Sequence, residues 1–336
     1  MSFQPENDDA SKEQERQITP EEFLDERKRS MRRRSRWAIG IGLLIVLGHF
    51  AFFAVADISF SLVFRSIIFV LGFFAIIAGI WFLYEAKRLV LEDLIPSAEA
   101  IDFIRQAQNE KPYFSYIIVA CLIAVFVSEL AGAADSSGDI QALAIAGLVK
   151  PDVWTKGEYW RILTGGVLHG GLLHIYFNSQ ALYGFGSTIE LVSNRAHLSI
   201  VFLLSVIGGS IMSIIFMPEG VSVGASGGIM GLIGYLAIYG HRRKQQLPPD
   251  FLRTMLVNIG FVAAFGLIAY QIVDNFGHLG GLLTGAAYGF VQIPRDLHKN
   301  PRQVGALTEA LGLISMGVFV FVSILTILLL LQYIKF

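Results

Sequence analysis

Long apolar runs broken by short polar connections set the pattern of this 336-residue chain. Runs near 37–56, 62–84, 113–132, 171–189, 198–217, 225–240, 255–273, 276–293 and 309–333 stand out. Most come close to the roughly 20 residues with which an α-helix crosses a bilayer core of about 30 Å. The pattern predicts nine membrane helices, hence an all-α, polytopic membrane protein. Neither an internal repeat nor the alternation of a β-barrel is apparent. With the N-terminus inside and direction alternating, the inside connections hold Lys87, Arg88, Arg195, Arg242, Arg243, Arg295 and further basic residues. The outside connections near 57–61, 218–224 and 274–275 hold no Lys or Arg, and the long one, 133–170, has only Lys150, Lys156 and Arg161. That asymmetry follows the positive-inside rule. The connection 85–112 has Leu91, Leu94, Ile95, Ile101 and Ile104 at helical spacing, which suits a surface helix or a linker.

Composition agrees, with 54% apolar and only 16% charged residues, too apolar a balance for an ordinary soluble domain. The single cysteine, Cys121, allows no internal disulfide, and no Cys/His cluster suggests a metal site. Net charge is −1, so the charge that matters is local. Residues 1–26 are polar and acidic and read as a disordered cytosolic tail rather than a secretory signal. The run RKRSMRRRSR follows, with seven basic residues between Arg27 and Arg36. Directly before an apolar run, it reads as a positive-inside anchor rather than a nucleic-acid patch.

Three predicted helices carry groups that a membrane helix seldom holds without a partner or a function. His174 and Asn178 lie in the first turns of 171–189, Ser226 opens 225–240, and His278 lies just inside 276–293. Alternation makes all three helices run from outside to inside, so these groups share a depth near the outer face. Gly277, Gly281, Gly285 and Gly289 recur every four residues, and Gly227, Gly231 and Gly234 form a similar strip beside Ser226. Small residues at such intervals let helix backbones touch within lipid. The stretch VSVGASGGIMGLIGY at 221–235 therefore has three readings: a hinge, a packing seam, and the setting of a nucleophile.

If the strips face each other, Ser226 and His278 come within side-chain reach. Histidine has the pKa to take a serine proton. No Asp or Glu falls inside the apolar runs at that depth, and Asp274 sits where its helix begins, so a Ser–His dyad is expected rather than a triad. His174 and Asn178 are four residues apart on one helix face. With the Ser226 backbone N–H at a helix start, they would supply donors to a developing oxyanion. A transporter reading finds neither paired intramembrane acids nor a repeated half.

These residues carry a resemblance. GASG (224–227) resembles the Gly-x-Ser-Gly motif of the rhomboid intramembrane serine proteases. HGGLLHIYFN (169–178) is similar to their His-x4-His-x3-Asn pattern, and GHLGGLLTG (277–285) to their Gly-His-x2-Gly-x3-Gly segment. Trp160 and Arg161 match the Trp-Arg pair of the large first loop, and FGSTIE (185–190) a segment ending in glutamate. The resemblance covers about 113–293 and implies a six-helix catalytic core there. Around it would lie a disordered tail (1–36), two accessory helices (37–84), the connection 85–112, and a basic loop with one extra helix (294–336).

The resemblance further implies Ser226 as nucleophile, His278 as general base and acid, and His174 and Asn178 as oxyanion donors. His169, Gly224 and Gly227 would support them. It implies no metal, nucleotide, nucleic acid or other cofactor. Substrates would be single-pass transmembrane proteins, cleaved in or near their transmembrane helices in the lipid bilayer of a bacterial-type cell (inner) membrane. The N-terminus would be cytoplasmic and the active site open to the outer face. Substrate would approach laterally past 255–273, while 133–170 lies partly in the outer leaflet with Trp154, Tyr159 and Trp160 at the interface. The alternative is a catalytically silent rhomboid-like binding or quality-control factor; such relatives usually lack the serine or the histidine, and both are present. Asn194 stands where the family often has glycine, and asparagine tolerates the left-handed backbone of such a turn. Met230 stands where an aromatic often packs on the histidine, a space methionine also fills.

Overall fold

The computed structural model describes residues 19–56, 66–94, 111–132 and 138–334, with isolated residues between these stretches. Two compact units divide the chain at Pro96. The first is a helical hairpin of α1 (Pro20–Val55) and α2 (Ile67–Arg88). The tail expected to be disordered through 36 is helical from Pro20 onward, and residues 1–18 lie outside the described residues. The reason is local. Thr19 accepts from the Glu22 N–H, the Glu22 carboxylate accepts from the Thr19 N–H, and Pro20 fills the first helical position. This capping box starts the helix well before its apolar run. Gly42 and Gly79 of the hairpin leave no room for a Cβ, which would meet the Gly72 carbonyl oxygen at 2.6 Å and the Ser35 carbonyl oxygen at 2.8 Å.

The second unit contains α3 (Tyr113–Gly132), α4 (Gly138–Ala146), α5 (Lys150–Thr155), α6 (Arg161–Thr164), α7 (Leu172–Val192) and α8 (Arg195–Phe216). After these come α9 (Ser226–Arg242), α10 (Phe251–Ile268), α11 (Asn275–Gln292) and α12 (Ala306–Leu330). The expected long connection is thus built largely from three short helices. Two-residue strands β1 (Leu148–Val149) and β2 (Val221–Ser222) pair antiparallel, tying it to the segment that leads into Ser226. Of the 85–112 connection, a 3₁₀ turn at Leu91–Leu94 is described, while most of 95–110 lies outside the described residues.

Among the described residues, six helices are long and apolar enough to cross a membrane: α1, α2, α3, α8, α10 and α12. The protein is an all-α, polytopic membrane protein. The other three expected spans are helices as well, α7, α9 and α11, but glycine and polar residues lower their hydropathy and α9 has only 17 residues. These three carry the candidate chemistry.

Packing in the second unit centres on α11, which lies against both α8 and α9. Along α9 and α11, Gly227 meets Gly281 and Gly231 meets Gly285, each so closely that a Cβ on the α11 glycine would collide with the facing carbonyl oxygen. One turn further, a Cβ on Gly289 would come 3.2 Å from the Tyr235 ring. The numbers rise together, so the helices run parallel and the two strips face each other. The pair Gly208–Gly209 of α8 supplies a second seam: a Cβ on Gly209 would lie 2.6 Å from the Gly277 carbonyl oxygen, and one on Gly280 equally near that of Gly208. Alternation of direction extends to α7, whose end meets the later turns of α9. There Ser193 and Tyr235 share a hydroxyl–hydroxyl bond of 2.7 Å, and the Tyr239 hydroxyl donates to the Val192 carbonyl at 2.6 Å.

Asn194 caps α8 from an extended backbone (φ −157°, ψ 148°), its side chain accepting from the Ala196 N–H at 2.7 Å. A left-handed turn is therefore not what this position needs, and asparagine serves as a helix cap instead. Glu190, at the end of α7, accepts from the Phe114 and Ser115 N–H groups at 3.2 and 2.8 Å and so closes the open first turn of α3.

The seam makes a discriminating prediction. Gly285→Ala forces a methyl into the Gly231 backbone, whereas a Cβ on Gly260 or Gly317 meets nothing within 4 Å. Overpacking of a close interface costs about 1–3 kcal/mol. Thermal unfolding in detergent should show a midpoint several degrees lower for Gly285→Ala and unchanged or raised midpoints for Gly260→Ala and Gly317→Ala. Equal midpoints for all three would mean that the contact carries no stability.

Candidate active site

Each polar group owes its position to a helix start. The long connection fixes the approach to α9: the Lys150 N–H donates to the Gly220 carbonyl at 3.2 Å, and the Gly224 N–H to the Gly165 carbonyl at 2.9 Å. Gly224 has φ +124°, a backbone that favours glycine, and a Cβ there would press on the His174 ring at 2.8 Å. Ser226 follows as the first residue of α9. His278 lies in the first turn of α11, next to Gly277 of the seam. Its Nε2 and the Ser226 Oγ are 2.8 Å apart. The strips thus bring these two side chains together across 52 residues of sequence.

His174 completes the group. The Gly170 N–H donates to His174 Nδ1 at 3.3 Å, so the neutral ring carries its proton on Nε2. That nitrogen is the one beside Gly224, on the Ser226 side. Asn178 is buried one turn further along α7, its amide donating to the His174 carbonyl at 2.9 Å. It shares the face of His174 but spends one N–H on its own helix. His169 is buried with its ring centroid 5.0 Å from that of His174, edge to face. Gly227 packs toward Gly209 and the Gly277 carbonyl.

Three groups escape the pattern of apolar runs. Glu129, buried near the end of α3, accepts from the His169 backbone N–H at 3.0 Å. An acid therefore does lie at this level of the bundle, contrary to expectation, because one carboxylate at the end of an apolar run barely alters its hydropathy. It serves the His169 segment: His278 Nδ1 is buried and has no hydrogen-bond partner among the described residues. Asp274 caps α11, accepting from the Gly277 N–H at 2.8 Å, from the Ser222 hydroxyl at 2.5 Å, and from the Ser213 hydroxyl. Lys150, 2% exposed, places its ammonium 3.7 Å from the same carboxylate. Burial opposes charge on Asp274, but the two hydroxyls, the N–H and the ammonium hold its carboxyl below the usual range. Ser213 near the end of α8, Ser222 of β2 and Asp274 at the cap of α11 line a cavity of about 40 Å³ that also touches Ser226 and His278. The cavity can hold about one water molecule. Among the described residues, no group of three or more His, Cys, Asp or Glu side chains is placed to hold a metal.

Trp160 and Arg161 brace the long connection. The Arg161 guanidinium lies 4.5 Å over the Trp160 ring, pairs with Glu158 and donates to the Gly147 carbonyl at 2.8 Å.

A serine and a histidine are thus joined within a bundle of apolar helices of a polytopic membrane protein. Comparison makes the class specific. Residues 156–295 match the Rhomboid domain. The chain is 35% identical over 182 residues to the rhomboid protease GluP of Bacillus subtilis, covering 53% of this chain and 34% of that protein. It is 34% identical over 170 residues to the mitochondrial RHOMBOID-like protein 6 of Arabidopsis thaliana, covering 46% of this chain and 53% of that one. With the rhomboid-like protease 5 of Toxoplasma gondii it shares 34% identity over 155 residues, 42% of this chain and 17% of the other. The chain thus spans from about a sixth to about half the length of these relatives. Its residues 156–295 thus form a rhomboid domain.

The Asp274 cluster generates the next prediction. Asp274→Asn keeps a helix-capping side chain but leaves the Lys150 ammonium buried without its counter-charge, a change that costs about 3–5 kcal/mol in buried pairs. Adding Lys150→Met should recover much of that loss in thermal unfolding. The sign with pH follows from the depressed carboxyl: its contribution is complete above the unfolded value of about 4 and fades as pH falls through the lower folded value. Additive losses in the double variant would show the pair to be uncoupled.

Proposed function

We propose that this protein is an intramembrane serine endopeptidase in which Ser226 is the nucleophile and His278 the general base and acid. The observation that carries the reading is the 2.8 Å contact between Ser226 Oγ and His278 Nε2. In this reading His278 Nε2 takes the hydroxyl proton as Oγ attacks the peptide carbonyl carbon. The resulting oxyanion receives the His174 Nε2–H and the N–H groups of the first turn of α9, which have no acceptor within the helix. Asn178 contributes through its remaining N–H. The C–N bond breaks as His278 returns the proton to the leaving amine, giving an acyl-enzyme on Ser226. Water then attacks the ester, again deprotonated by His278, and Ser226 leaves with the proton. The cavity beside the pair offers a place for that water.

With the basic end of α1 placed at the cytoplasmic side, alternation puts the starts of α7, α9 and α11 near the outer face of a cell membrane. The substrate class is a membrane-anchored protein with a single span that unwinds locally to expose its peptide bond. Lateral approach past α10 is favoured because α10 buries only Met255 and Gly266. A silent, binding-only member of the family is the competing reading, and the intact Ser226–His278 contact speaks against it.

The test uses the full chain in lipid with a single-pass membrane substrate and, in parallel, a fluorophosphonate probe. Ser226→Ala and His278→Ala should abolish cleavage and labelling while thermal unfolding stays near that of the unaltered chain. His174→Ala and Asn178→Ala should each lower kcat by about 10²–10³, the usual worth of one oxyanion donor. Cleavage that survives Ser226→Ala would falsify the assignment.

A further inference from the structure

The seven basic residues before the first apolar run do not surround α1 evenly. At 100° per residue, Arg29, Arg32, Arg33 and Arg36 fall on one face about 100° wide, while Arg27, Lys28 and Arg34 fall on the others. All four arginines are exposed, and with Trp37 they line an open cleft of about 560 Å³. The opposite side is closed, since Ser35 and Gly42 are buried. The helix continues without a break into its apolar stretch. On the arginine face, about two to three turns on, Leu43, Leu44 and Leu47 are 44%, 73% and 63% exposed. The acidic residues Glu21, Glu22, Asp25 and Glu26 lie in the opening turns, so the helix passes from acidic to basic to apolar.

We propose that Arg29, Arg32, Arg33 and Arg36 form a binding site for the phosphate headgroups of anionic phospholipids, with the acyl chains lying along Leu44 and Leu47. Guanidinium groups match phosphate oxygens in paired hydrogen bonds. An indole at the junction of charged and apolar surface belongs at headgroup level. Phosphate without chains would leave the exposed leucines uncovered, so a lipid fits the whole face and a free anion only its upper part. Four guanidinium charges exceed what one phosphodiester neutralises, which favours a headgroup with two phosphates, or two adjacent lipids.

The test is native mass spectrometry of the full chain in detergent, titrated with phosphatidylcholine, phosphatidylglycerol or diphosphatidylglycerol. The site requires retention in the order diphosphatidylglycerol, phosphatidylglycerol, phosphatidylcholine. Each arginine lost should weaken retention about fivefold, the usual effect of one basic residue near an anionic headgroup. The triple variant Arg29→Gln/Arg32→Gln/Arg36→Gln should therefore lose about a hundredfold, and the charge-matched triple Arg27→Gln/Lys28→Gln/Arg34→Gln little. Equal losses in the two triples would reduce the effect to net charge and overturn the site. Equal retention of phosphatidylcholine would overturn it too. Displacement of the lipid by millimolar inorganic phosphate would reassign the face to a free anion.

Discussion

Two helix backbones in contact, α9 against α11, are the constraint from which the rest of the second unit follows. The glycines leave nothing between the chains at Gly227–Gly281 and Gly231–Gly285. At that separation the first turns of both helices meet, and side chains beside the seam need no reach to touch. Ser226 and His278 are hydrogen-bonded because the backbones are close, not because a third residue draws them together. The second seam, from Gly208–Gly209 of α8, holds α11 from the other side and fixes its rotation. A histidine whose Nδ1 has no hydrogen-bond partner among the described residues is thus held by packing rather than by a carboxylate.

Glycine and polar residues have a cost in hydropathy, and the fold divides the labour accordingly. The helices that bear Ser226, His278, His174 and Asn178 are those whose apolarity alone would not place them across a membrane, while six others among the described residues meet that requirement. Within the unit, several polar groups find their partners inside the protein: Glu190 at the open end of α3, Tyr235 with Ser193, and two guanidinium nitrogens of the buried Arg243 with the carbonyls of Asp296 and Lys299. Such pairing is what an interior surrounded by lipid demands.

Much of this was legible along the chain because it is periodic. Apolar runs, a glycine every fourth residue and the parity of successive spans are repeating signals, and they placed Ser226 and His278 together correctly. The rest is legible only in three dimensions. Gly208–Gly209 is an adjacent pair with no period, and Glu129 is one acid at the end of an apolar run. Lys150 and Asp274 are far apart in sequence, and β1 and β2 are too short to alternate. The helix from Pro20 is a different case. Its capping box, Thr19 to Glu22, is readable, but an acidic composition outweighed it. Asn194 likewise needed the distinction between a residue that tolerates a left-handed turn and one that caps a helix.

The ladder between β1 and β2 carries a consequence for how this chain can diverge. Leu148 is held to Ser222, Val149 to Val221, and Gly224 to Gly165, all within a few residues of Ser226. An insertion or deletion of a single residue between Val221 and Ser226 would have to break the ladder or carry the hydroxyl away from His278. Length in that segment is therefore frozen. Sequence drift there is confined to side-chain replacement, and indels in this unit are expected where no such tie spans them.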